Sequence, residues 1–396
     1  MDALMLPLNW QKVRLGDIAH IFDGTHQTPQ YTHYGVAFFS VENIVSDKPS
    51  KFISQQDYLT ATNQNRPEYN DILLTRIGTI GVSKVVNWNY PFSIYVTLAV
   101  IKQSKYFNSY YLHYFIQSNF FQKELKNNSL LQAIPCKINM NELKKCEVIL
   151  PPLNEQIAIA NILSALDRYL YSLDALILKK ESVKKALSFE LLSQRKRLKG
   201  FNQAWQRVRL GDICEFGNGG AYETLIVENG DFKLISLNSI DIDGNLKNTM
   251  KRVNFYDNSL KQDDIVMVLS DVAHGDFLGL CAVIPSNDYV LNQRMGRLRK
   301  RNDCINILFL RLYINANQKY FKMQGQGSSQ LNLSKKAIED FEILLPPLNE
   351  QAAIANILSA LDNEIISLKN KKRQFENIKK ALNHDLMSAK IRVLKK

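Results

Sequence analysis

Two parts of the chain concentrate polar and basic side chains in segments that resemble loops and turns. An arginine can donate two hydrogen bonds to guanine, and an asparagine or glutamine can exchange two with adenine, so these residue types could read base edges. The candidates in the first part are Thr25, His26, Gln27, Thr28, Arg76, Thr79 and Lys84. The candidates in the second part are Ser270, His274, Asn292, Gln293, Arg294, Arg297, Gln330, Asn332, Lys335 and Lys336. Each of them alone is more often a solvated surface residue, whereas the set as a whole is expected to include several contacts.

The sequence offers no motif for catalysis or for a bound cofactor. An adenine methyltransferase needs Asn or Asp before a Pro-Pro-aromatic segment, but both Pro-Pro pairs of this chain, at residues 151–152 and 346–347, stand between leucines. The glycine-rich residues 216–221 lack the following helix and the spacing of a nucleotide-binding loop. His26 and His33 lack a third ligand at a suitable spacing, which favours loop or groove histidines over metal ligands. We therefore expect no catalytic, cofactor-binding or metal-binding residues.

The net charge of +12 favours a polyanionic partner such as nucleic acid. Residues 151–200 carry 9 Lys and Arg against 5 Asp and Glu, and residues 346–396 carry 10 against 5. Most of the positive excess therefore lies outside the segments that hold the candidate residues. Charge alone leaves open both a nucleic-acid partner and solvated helix faces. Basic contacts to phosphates would position the protein without reading sequence.

Several features of the sequence predict the cellular compartment of the protein. No run of 18 apolar residues is present, so no membrane span is expected. The first ten residues lack the basic region and the long apolar core of a secretory signal. The five cysteines are scattered and odd in number. Together these features predict a reduced, cytoplasmic protein without a zinc cage.

The chain contains an internal repeat, in which the second copy follows the first after 195 residues. The matching segments are residues 148–167 and 343–362, residues 10–18 and 205–213, and residues 184–187 and 379–382. Such a repeat sets the architecture of a protein before any other feature. The predicted domains are globular blocks at residues 1–150 and 201–345, each followed by a helical segment, at residues 151–200 and 346–396.

Each helical segment begins after a Pro-Pro pair, which is a typical helix start. Apolar residues then alternate at spacings of three and four, the pattern of a coiled-coil seam. A helix over residues 154–198 would be ~67 Å long. The residues expected to pair the two helices are Leu163, Leu166, Leu170, Leu173, Ile177, Leu187, Leu358, Leu361, Ile365, Leu368, Phe375 and Leu382. Lysines 180, 184, 372 and 379 interrupt the seam, where polar residues often set register. The alternative is two ordinary surface helices on separate domains.

The two globular blocks show the same order of predicted elements. In the first, residues 38–44 and 92–101 have strand-like composition, and residues 71–84 predict two strands joined by a glycine turn. Residues 108–126 have helical spacing, and Asn139 with Glu142 has the spacing of a capping box. The corresponding segments of the second block are residues 234–240, 264–275 and 305–323. The predicted fold class is α+β, with two repeated α+β domains and two long helices that pair as a coiled coil. The helices could pair parallel or antiparallel, and an antiparallel coiled coil, which the family resemblance below implies, would relate the two blocks by a pseudo-two-fold axis.

The repeated Leu-Pro-Pro-Leu-Asn-Glu-Gln segments and the repeated Trp-x-x-Val-x-Leu-Gly-Asp-Ile segments resemble those of type I restriction-modification specificity subunits. Residues 330–338 and 77–81 are also similar to that family, and the resemblance covers nearly the whole chain. Residues 134–138, Ile-Pro-Cys-Lys-Ile, depart from the Ser-Ser-Gln-Leu-Asn-Leu form of the second copy. The DNA-facing positions of the first block are therefore less secure.

The resemblance implies two target recognition domains, each of which reads one half of a split sequence in double-stranded DNA. It implies that the antiparallel helices act as a spacer and bind two methyltransferase subunits, and that restriction (translocase) subunits join the complex. Members of the family have no catalytic site, and S-adenosylmethionine, ATP and magnesium belong to the partners. The alternatives are a stand-alone DNA methyltransferase or nuclease, and a coiled-coil scaffold that never touches DNA.

Overall fold

The structure is a computed structural model that describes residues 6–46, 49, 51–272 and 275–393. The chain forms two compact units. The first consists of Met1–Ala175 and Asn370–Lys396, and the second of Leu176–Lys369. Each unit thus contains one of the predicted globular blocks and a part of both long helices. No helix among the described residues is long and apolar enough to span a bilayer.

The globular part of the first unit consists of short strands and helices around two four-stranded sheets. Its strands are β1 (Gln11–Arg14), β2 (Ile21–Asp23), β3 (Tyr31–Thr32), β4 (Val36–Phe39), β5 (Lys51–Ile53), β6 (Ile72–Thr75), β7 (Ser83–Val85), β8 (Phe92–Ile94), β9 (Leu98–Ile101), β10 (Ser129–Leu130), β11 (Lys137–Ile138) and β12 (Glu147–Leu150). Its helices are α1 (Leu15–Ile18), α2 (Val41–Ser46), α3 (Gln55–Ala61), α4 (Ser109–Ile116), α5 (Asn119–Asn127) and α6 (Met140–Lys145). One sheet has the antiparallel order β2-β9-β6-β7, and the other has the order β3-β5-β4-β8, in which β4 and β8 are parallel.

The long helix α7 (Leu153–Leu192) begins in the first unit and ends in the second. The second unit then repeats the pattern. Its strands are β13 (Gln206–Arg209), β14 (Cys214–Asn218), β15 (Phe232–Ile235), β16 (Lys251–Val253), β17 (Ile265–Val268), β18 (Ser270–Val272), β19 (Cys281–Val283), β20 (Tyr289–Leu291), β21 (Met295–Lys300), β22 (Gln330–Asn332) and β23 (Glu342–Leu345). Its helices are α8 (Leu210–Ile213), two 3-10 helices (Glu223–Leu225 and Leu237–Ser239), α9 (Ile307–Ala316), α10 (Gln318–Gln324), α11 (Lys335–Glu339) and the start of α12 (Leu348–Met387).

The second unit repeats most of the sheet arrangement of the first, with one strand fewer in the sheet that contains the parallel pair. Its antiparallel sheet has the order β14-β21-β17-β19, and a three-stranded sheet has the order β16-β15-β20, in which β15 and β20 are parallel. In both units the first strand pairs with the last strand before the long helix, β1 with β12 and β13 with β23. The predicted α+β class with two repeated domains is therefore confirmed.

Three predicted elements are divided in the structure. Residues 92–101 form two strands in different sheets, because the chain turns at residues 95–97. Residues 108–126 form α4 and α5, because the Ser118 hydroxyl accepts a hydrogen bond from the Phe121 N–H and starts a new helix. Residues 38–44 leave the strand after Phe39, where the side chain of Asn43 accepts the backbone N–H of Ser40 and α2 follows.

The structure also contains the hairpin and the short helix that were predicted for the first block. β6 and β7 form the predicted hairpin around Gly78 and Gly81. Helix α6 starts after Asn139 as expected, but the Asn139 side chain makes no capping hydrogen bond. The proposed capping box is therefore wrong, although the helix is present.

The hydrophobic core of each unit is completed by the end of one long helix. In the first unit, Leu386 and Met387 at the end of α12 are fully buried in one cluster with Trp10 and Ile159. In the second unit, the cluster includes Leu191 and Leu192 at the end of α7 together with Ile354 and Leu358. Each core therefore needs the beginning of one long helix and the end of the other, which are far apart in sequence.

A buried carboxylate holds these segments together in the first unit. Glu155, from the repeated Asn-Glu-Gln segment, is 2% exposed. Its carboxylate accepts a hydrogen bond of 3.1 Å from Trp10 Nε1 and two bonds, of 2.6 and 2.8 Å, from the guanidinium of Arg392. A buried charge is costly unless it is paired and hydrogen-bonded, so Glu155 and its two partners form one buried cluster.

The second unit has the same arrangement at positions shifted by 195 residues. Glu350 is fully buried and accepts Trp205 Nε1 at 3.1 Å and the Arg197 guanidinium at 3.1 and 2.6 Å. The arginine comes after the end of the other long helix in both units. Arg197 and Arg392 are also separated by the repeat distance of 195 residues, which the sequence-based comparison of the two copies did not include.

The glutamine after each glutamate positions the helix that covers the sheet. Gln156 Oε1 accepts the Asn108 N–H at 2.9 Å, and Gln351 Oε1 accepts the Asn306 N–H at 2.8 Å. Both asparagines are side-chain caps, of α4 and α9. The Asn-Glu-Gln segment therefore joins the start of a long helix to the rest of its globular domain.

Within each unit, ion pairs connect the parts of α7 and α12. In the first unit Asp167 pairs with Lys379 at 2.5 Å and Asp174 with Lys372 at 2.7 Å. In the second unit Lys180 pairs with Glu364 at 2.8 Å, and Lys184 pairs with Asp362. Residue numbers rise along α7 as they fall along α12, so the segments run in opposite directions within each unit. The four lysines that interrupt the apolar seam are all used in these pairs.

The predicted pairing residues are all buried or half-buried. They are Leu163, Leu166, Leu170, Leu173, Ile177, Leu187, Leu358, Leu361, Ile365, Leu368, Phe375 and Leu382. Helix α7 ends at Leu192 rather than at the predicted residue 198, so it is ~60 Å long. Gln194 has φ 61° and the Lys196 N–H bonds to the Glu190 carbonyl, which closes the helix.

We predict that the Lys184–Asp362 pair contributes to the stability of the second unit. Removing either charge alone (K184A or D362A) is expected to lower the free energy of unfolding, and the two substitutions are expected to be coupled by about 1 kcal/mol. Chemical denaturation of the four proteins would measure this coupling. The exposed pair Lys300–Asp303 provides a control with little coupling. Additive effects at Lys184 and Asp362 would contradict the contact.

Candidate nucleic-acid interface

The loop with the first candidates lies against the turn between β8 and β9. The Thr25 N–H bonds to the Ile94 carbonyl at 3.1 Å, and the Val96 N–H bonds to the Thr25 carbonyl at 3.0 Å. The Thr28 hydroxyl contacts the Tyr95 hydroxyl at 3.2 Å. His26, Gln27 and Thr28 are exposed, and Thr25 is half-buried. The structure therefore brings residues 25–28 and residues 95–97 together on one face of the first unit.

Arg76 lies beneath this face, with only 8% of its side chain exposed. One guanidinium nitrogen, Nη1, donates to Asp23 Oδ2 at 3.0 Å and to the Val96 carbonyl at 2.9 Å, and Nε donates to the Ile138 carbonyl at 3.2 Å. Burial lowers the pKa of Arg76, while Asp23 opposes that shift. This arginine joins three segments, so the geometry favours a positioning role over a base contact.

The other two candidates of the first block lie on the β6–β7 hairpin. Thr79 is exposed at its tip, next to Gly78, whose N–H bonds to the Cys136 carbonyl at 2.8 Å. The divergent residues 134–138 therefore border the same face. Lys84 is half-buried over the ring of Trp88, 5.6 Å from its centroid, and burial lowers its pKa.

The second unit builds an equivalent face. Its loop after β14 lies against the turn between β20 and β21, and the Gly220 N–H bonds to the Leu291 carbonyl at 3.0 Å. The contact is so close that a Cβ on Gly219 would lie 2.0 Å from the Asn292 carbonyl oxygen. Asn292 is 1% exposed, and its side chain accepts the Tyr222 N–H and donates to Glu223 at 2.7 Å. Asn292 therefore supports the turn.

Gln293 and Arg294 form the tip of that turn, and both are exposed. The Arg294 carbonyl accepts the Leu269 N–H at 3.0 Å, just as the Thr97 carbonyl accepts the Arg76 N–H at 2.9 Å in the first unit. These matching bonds make Thr97 the counterpart of Arg294. The same backbone position thus carries different chemistry in the two units.

The remaining candidates of the second block mostly have partners in the protein. Ser270 is 5% exposed and donates to Asn332 between the paired strands β18 and β22, and Gln330 lies opposite Val272 in the same pair. Lys335 and Lys336 on α11 pair with acidic residues one turn along, at 3.6 and 2.6 Å. His274 lies outside the described residues.

The basic run that starts at Arg297 is largely neutralised. Arg297 pairs with Glu215 at 2.7 Å, and Arg299 makes two bonds, of 2.8 and 2.6 Å, to the buried Asp264. Lys300 pairs with Asp303 at 2.7 Å. The sequence could not reveal this, because Glu215 on β14 and Asp264 just before β17 are both far from the basic run in sequence.

Sequence reasoning also missed a polar pocket of about 280 Å³ beside the β20–β21 turn. Its wall combines residues from four separate segments, which no local pattern connects. The lining residues are Glu223, Ser236, Leu237, Asn238, Lys251, Gln293 and Arg294. Within the described parts of the chain, no group of three or more His, Cys, Asp or Glu side chains is arranged to hold a metal ion.

Comparison with known proteins identifies the family to which this duplicated chain belongs. The profile of the type I restriction modification DNA specificity domain matches residues 7–180 and 202–377, so two copies of that domain cover most of the chain. The chain belongs to this family. Two copies of the domain in tandem are the composition of a specificity subunit of a type I restriction-modification system.

Relatives with similarity over nearly the full length agree with this assignment. The type I restriction enzyme MjaVIII specificity subunit of Methanocaldococcus jannaschii is 26% identical, and the alignment covers 99% of this chain and 95% of the relative. The putative MjaX specificity subunit of the same organism is 24% identical, with coverage of 98% and 95%. The crystal structure of the S subunit from M. genitalium has the same fold, with a TM-score of 0.66, 19% identity and coverage of 96% and 98%.

We predict that Arg76 stabilises this specificity subunit and does not read bases. R76A breaks a largely buried ion pair and should lower the free energy of unfolding by about 3 kcal/mol. Thermal or chemical unfolding would measure the loss. T79A, at an exposed position on the same face, is the control and should change stability by less than about 0.5 kcal/mol. An R76A protein of normal stability with an altered sequence preference would contradict the prediction.

Proposed function

We propose that this type I specificity subunit reads a two-part sequence in double-stranded DNA, with one half-site for each recognition domain. The observation that carries the proposal is the pair of equivalent turns, residues 95–97 and 292–294, which occupy the same place in the repeated sheet arrangement. One turn carries valine and threonine where the other carries glutamine and arginine. A repeated frame with different side chains at its turn suits recognition of two different base sequences.

The chain supplies no catalytic group in this proposal. Methylation and cleavage are carried out by partner subunits, which also bind S-adenosylmethionine, ATP and magnesium. The partners are two methyltransferase subunits and the restriction (translocase) subunits that complete the assembly. One solved structure with the same fold (TM-score 0.58) comes from work described as the structural basis of complex assembly and conformational transition of the type I system.

Exposed apolar residues on the long helices support the binding of two identical partners. Several of them recur at the repeat distance of 195 residues, so the two helices expose apolar side chains at matching positions. The pairs are Leu153 and Leu348, Ile162 and Ile357, Tyr171 and Ile366, and Val183 and Ile378. Exposed apolar groups in a repeated arrangement favour protein–protein contacts, and the repeat favours two copies of one methyltransferase subunit.

The two long helices also set the number of base pairs between the half-sites. A heptad inserted into α7 between Ala175 and Leu176, and another into α12 between Lys369 and Asn370, would leave each compact unit intact. Seven residues add about 10 Å of helix, which corresponds to about 3 base pairs at ~3.4 Å each. We predict that the methylated sequence keeps both half-sites while its gap grows by about 3 base pairs.

The measurement is methylation mapping of DNA treated with the subunit and its methyltransferase partner. A heptad in α7 alone is the matched control, and it should abolish activity because the ion pairs with α12 lose their register. An unchanged gap after the double insertion would contradict the spacer role. Methylation or cutting of DNA by the purified chain alone, with S-adenosylmethionine and magnesium, would favour the alternative of a stand-alone enzyme.

A further inference from the structure

The turn between β20 and β21 is held from several sides. The Asn292 N–H bonds to the Ile235 carbonyl at 2.9 Å, and its buried side chain bonds to Tyr222 and Glu223. The carbonyl of Arg294 is fixed by the Leu269 N–H. Such a turn presents its exposed side chains in a defined direction, which reduces the entropy lost when they bind.

Arg294 has an unusual backbone conformation for its residue type. Its φ of 67° lies in the left-handed region, which residues other than glycine, asparagine and aspartate seldom adopt. Strained residues of this kind persist where the surrounding structure holds them, and they are concentrated at binding sites. A glycine at this position would relieve the strain, so the arginine side chain is the feature that needs an explanation.

The Arg294 side chain also differs from the other arginines of the second unit. Over the part of that unit which the structure describes, its guanidinium is the only one without a hydrogen bond, an ion pair or a ring contact. The partnered arginines are Arg195, Arg197, Arg207, Arg209, Arg252, Arg297, Arg299, Arg301 and Arg311. Gln293 likewise makes no side-chain hydrogen bond to any described residue. The Gln293 amide and the Arg294 guanidinium are therefore available to an external partner.

The pocket beside the turn combines charges of both signs, since Lys251 and Arg294 line it together with Glu223. Glu223 faces it, bonded to Lys251 at 3.1 Å and to Asn292 at 2.7 Å. The Lys251 bond is the main reason that the pKa of Glu223 lies below its ordinary value, so the carboxylate is ionised at neutral pH. An ionised carboxylate repels phosphate oxygens but accepts the amino groups that cytosine and adenine present in the major groove.

We propose that Gln293 and Arg294 read base edges in the half-site of the second domain, and that Arg294 recognises a guanine. The proposal rests on the proposed function and deepens it. The guanidinium offers two parallel donors that match O6 and N7 of guanine, and the Gln293 amide matches N6 and N7 of adenine. The first domain has Val96 and Thr97 at these positions, so its half-site does not depend on this chemistry.

The test is selection of bound duplexes from a pool with both half-sites randomised, using the complex of this chain with its methyltransferase subunits. R294G relieves the left-handed backbone, so the fold is retained. Its preference for guanine at one position should fall about tenfold or more, while the half-site of the first domain stays unchanged. R294K keeps the charge but loses the two parallel donors, and it should lose the same preference. Q293A should relax an adenine position of the same half-site.

R207A is the matched control, because Arg207 is an exposed arginine on β13 with an ion pair to Glu342, and it should leave both half-sites unchanged. Retention of the same guanine preference by R294G and R294K would overturn the inference. A uniform loss of affinity for all sequences, as expected for a phosphate contact, would also overturn it. If the complex with the unaltered chain selects no two-part sequence, the proposed function itself fails, and this result is distinct from the other two.

Discussion

The architecture depends on a buried carboxylate in each unit, which binds a tryptophan from the start of a globular domain and an arginine that follows the end of the other long helix. Glu155 joins Trp10 and Arg392, and Glu350 joins Trp205 and Arg197. Because an unpaired buried carboxylate is strongly unfavourable, each set forms only when its three segments are in place. The same contacts bring the end of one long helix to the core that is entered by the start of the other.

The two domains share the residues that form these buried contacts and differ in the side chains of their equivalent turns. The glutamate, the following glutamine and one aspartate–lysine pair between the helices (Asp167–Lys379 and Asp362–Lys184) recur at the repeat distance, because they define how a domain joins the helices. The turns at residues 95–97 and 292–294 share backbone bonds but not side chains. A duplicated frame can thus change the side chains of its turns without disturbing the buried contacts on which folding depends.

The sequence predicted the repeat, the fold class and the two long helices, and the family resemblance implied that the helix segments run in opposite directions. The sequence also predicted the hairpin around Gly78, because glycines between two strand-like segments are typical of a turn. The prediction from sequence failed where the partner of a side chain lies far away along the chain. Arg76 and Arg299 look like free basic groups until Asp23 and Asp264 are placed beside them. The pocket beside Arg294 was missed for the same reason, since its walls come from separate segments.

The most direct test of this account is a double-mutant cycle between Glu155 and Arg392. The free energies of unfolding of E155Q, R392A, the double variant and the unaltered chain would be compared by chemical denaturation. If Arg392 completes the buried set, the two substitutions are coupled by about 2 kcal/mol, and the double variant is little worse than E155Q alone. Effects that add to within about 0.5 kcal/mol would show that the end of α12 does not depend on Glu155 and would contradict the central claim.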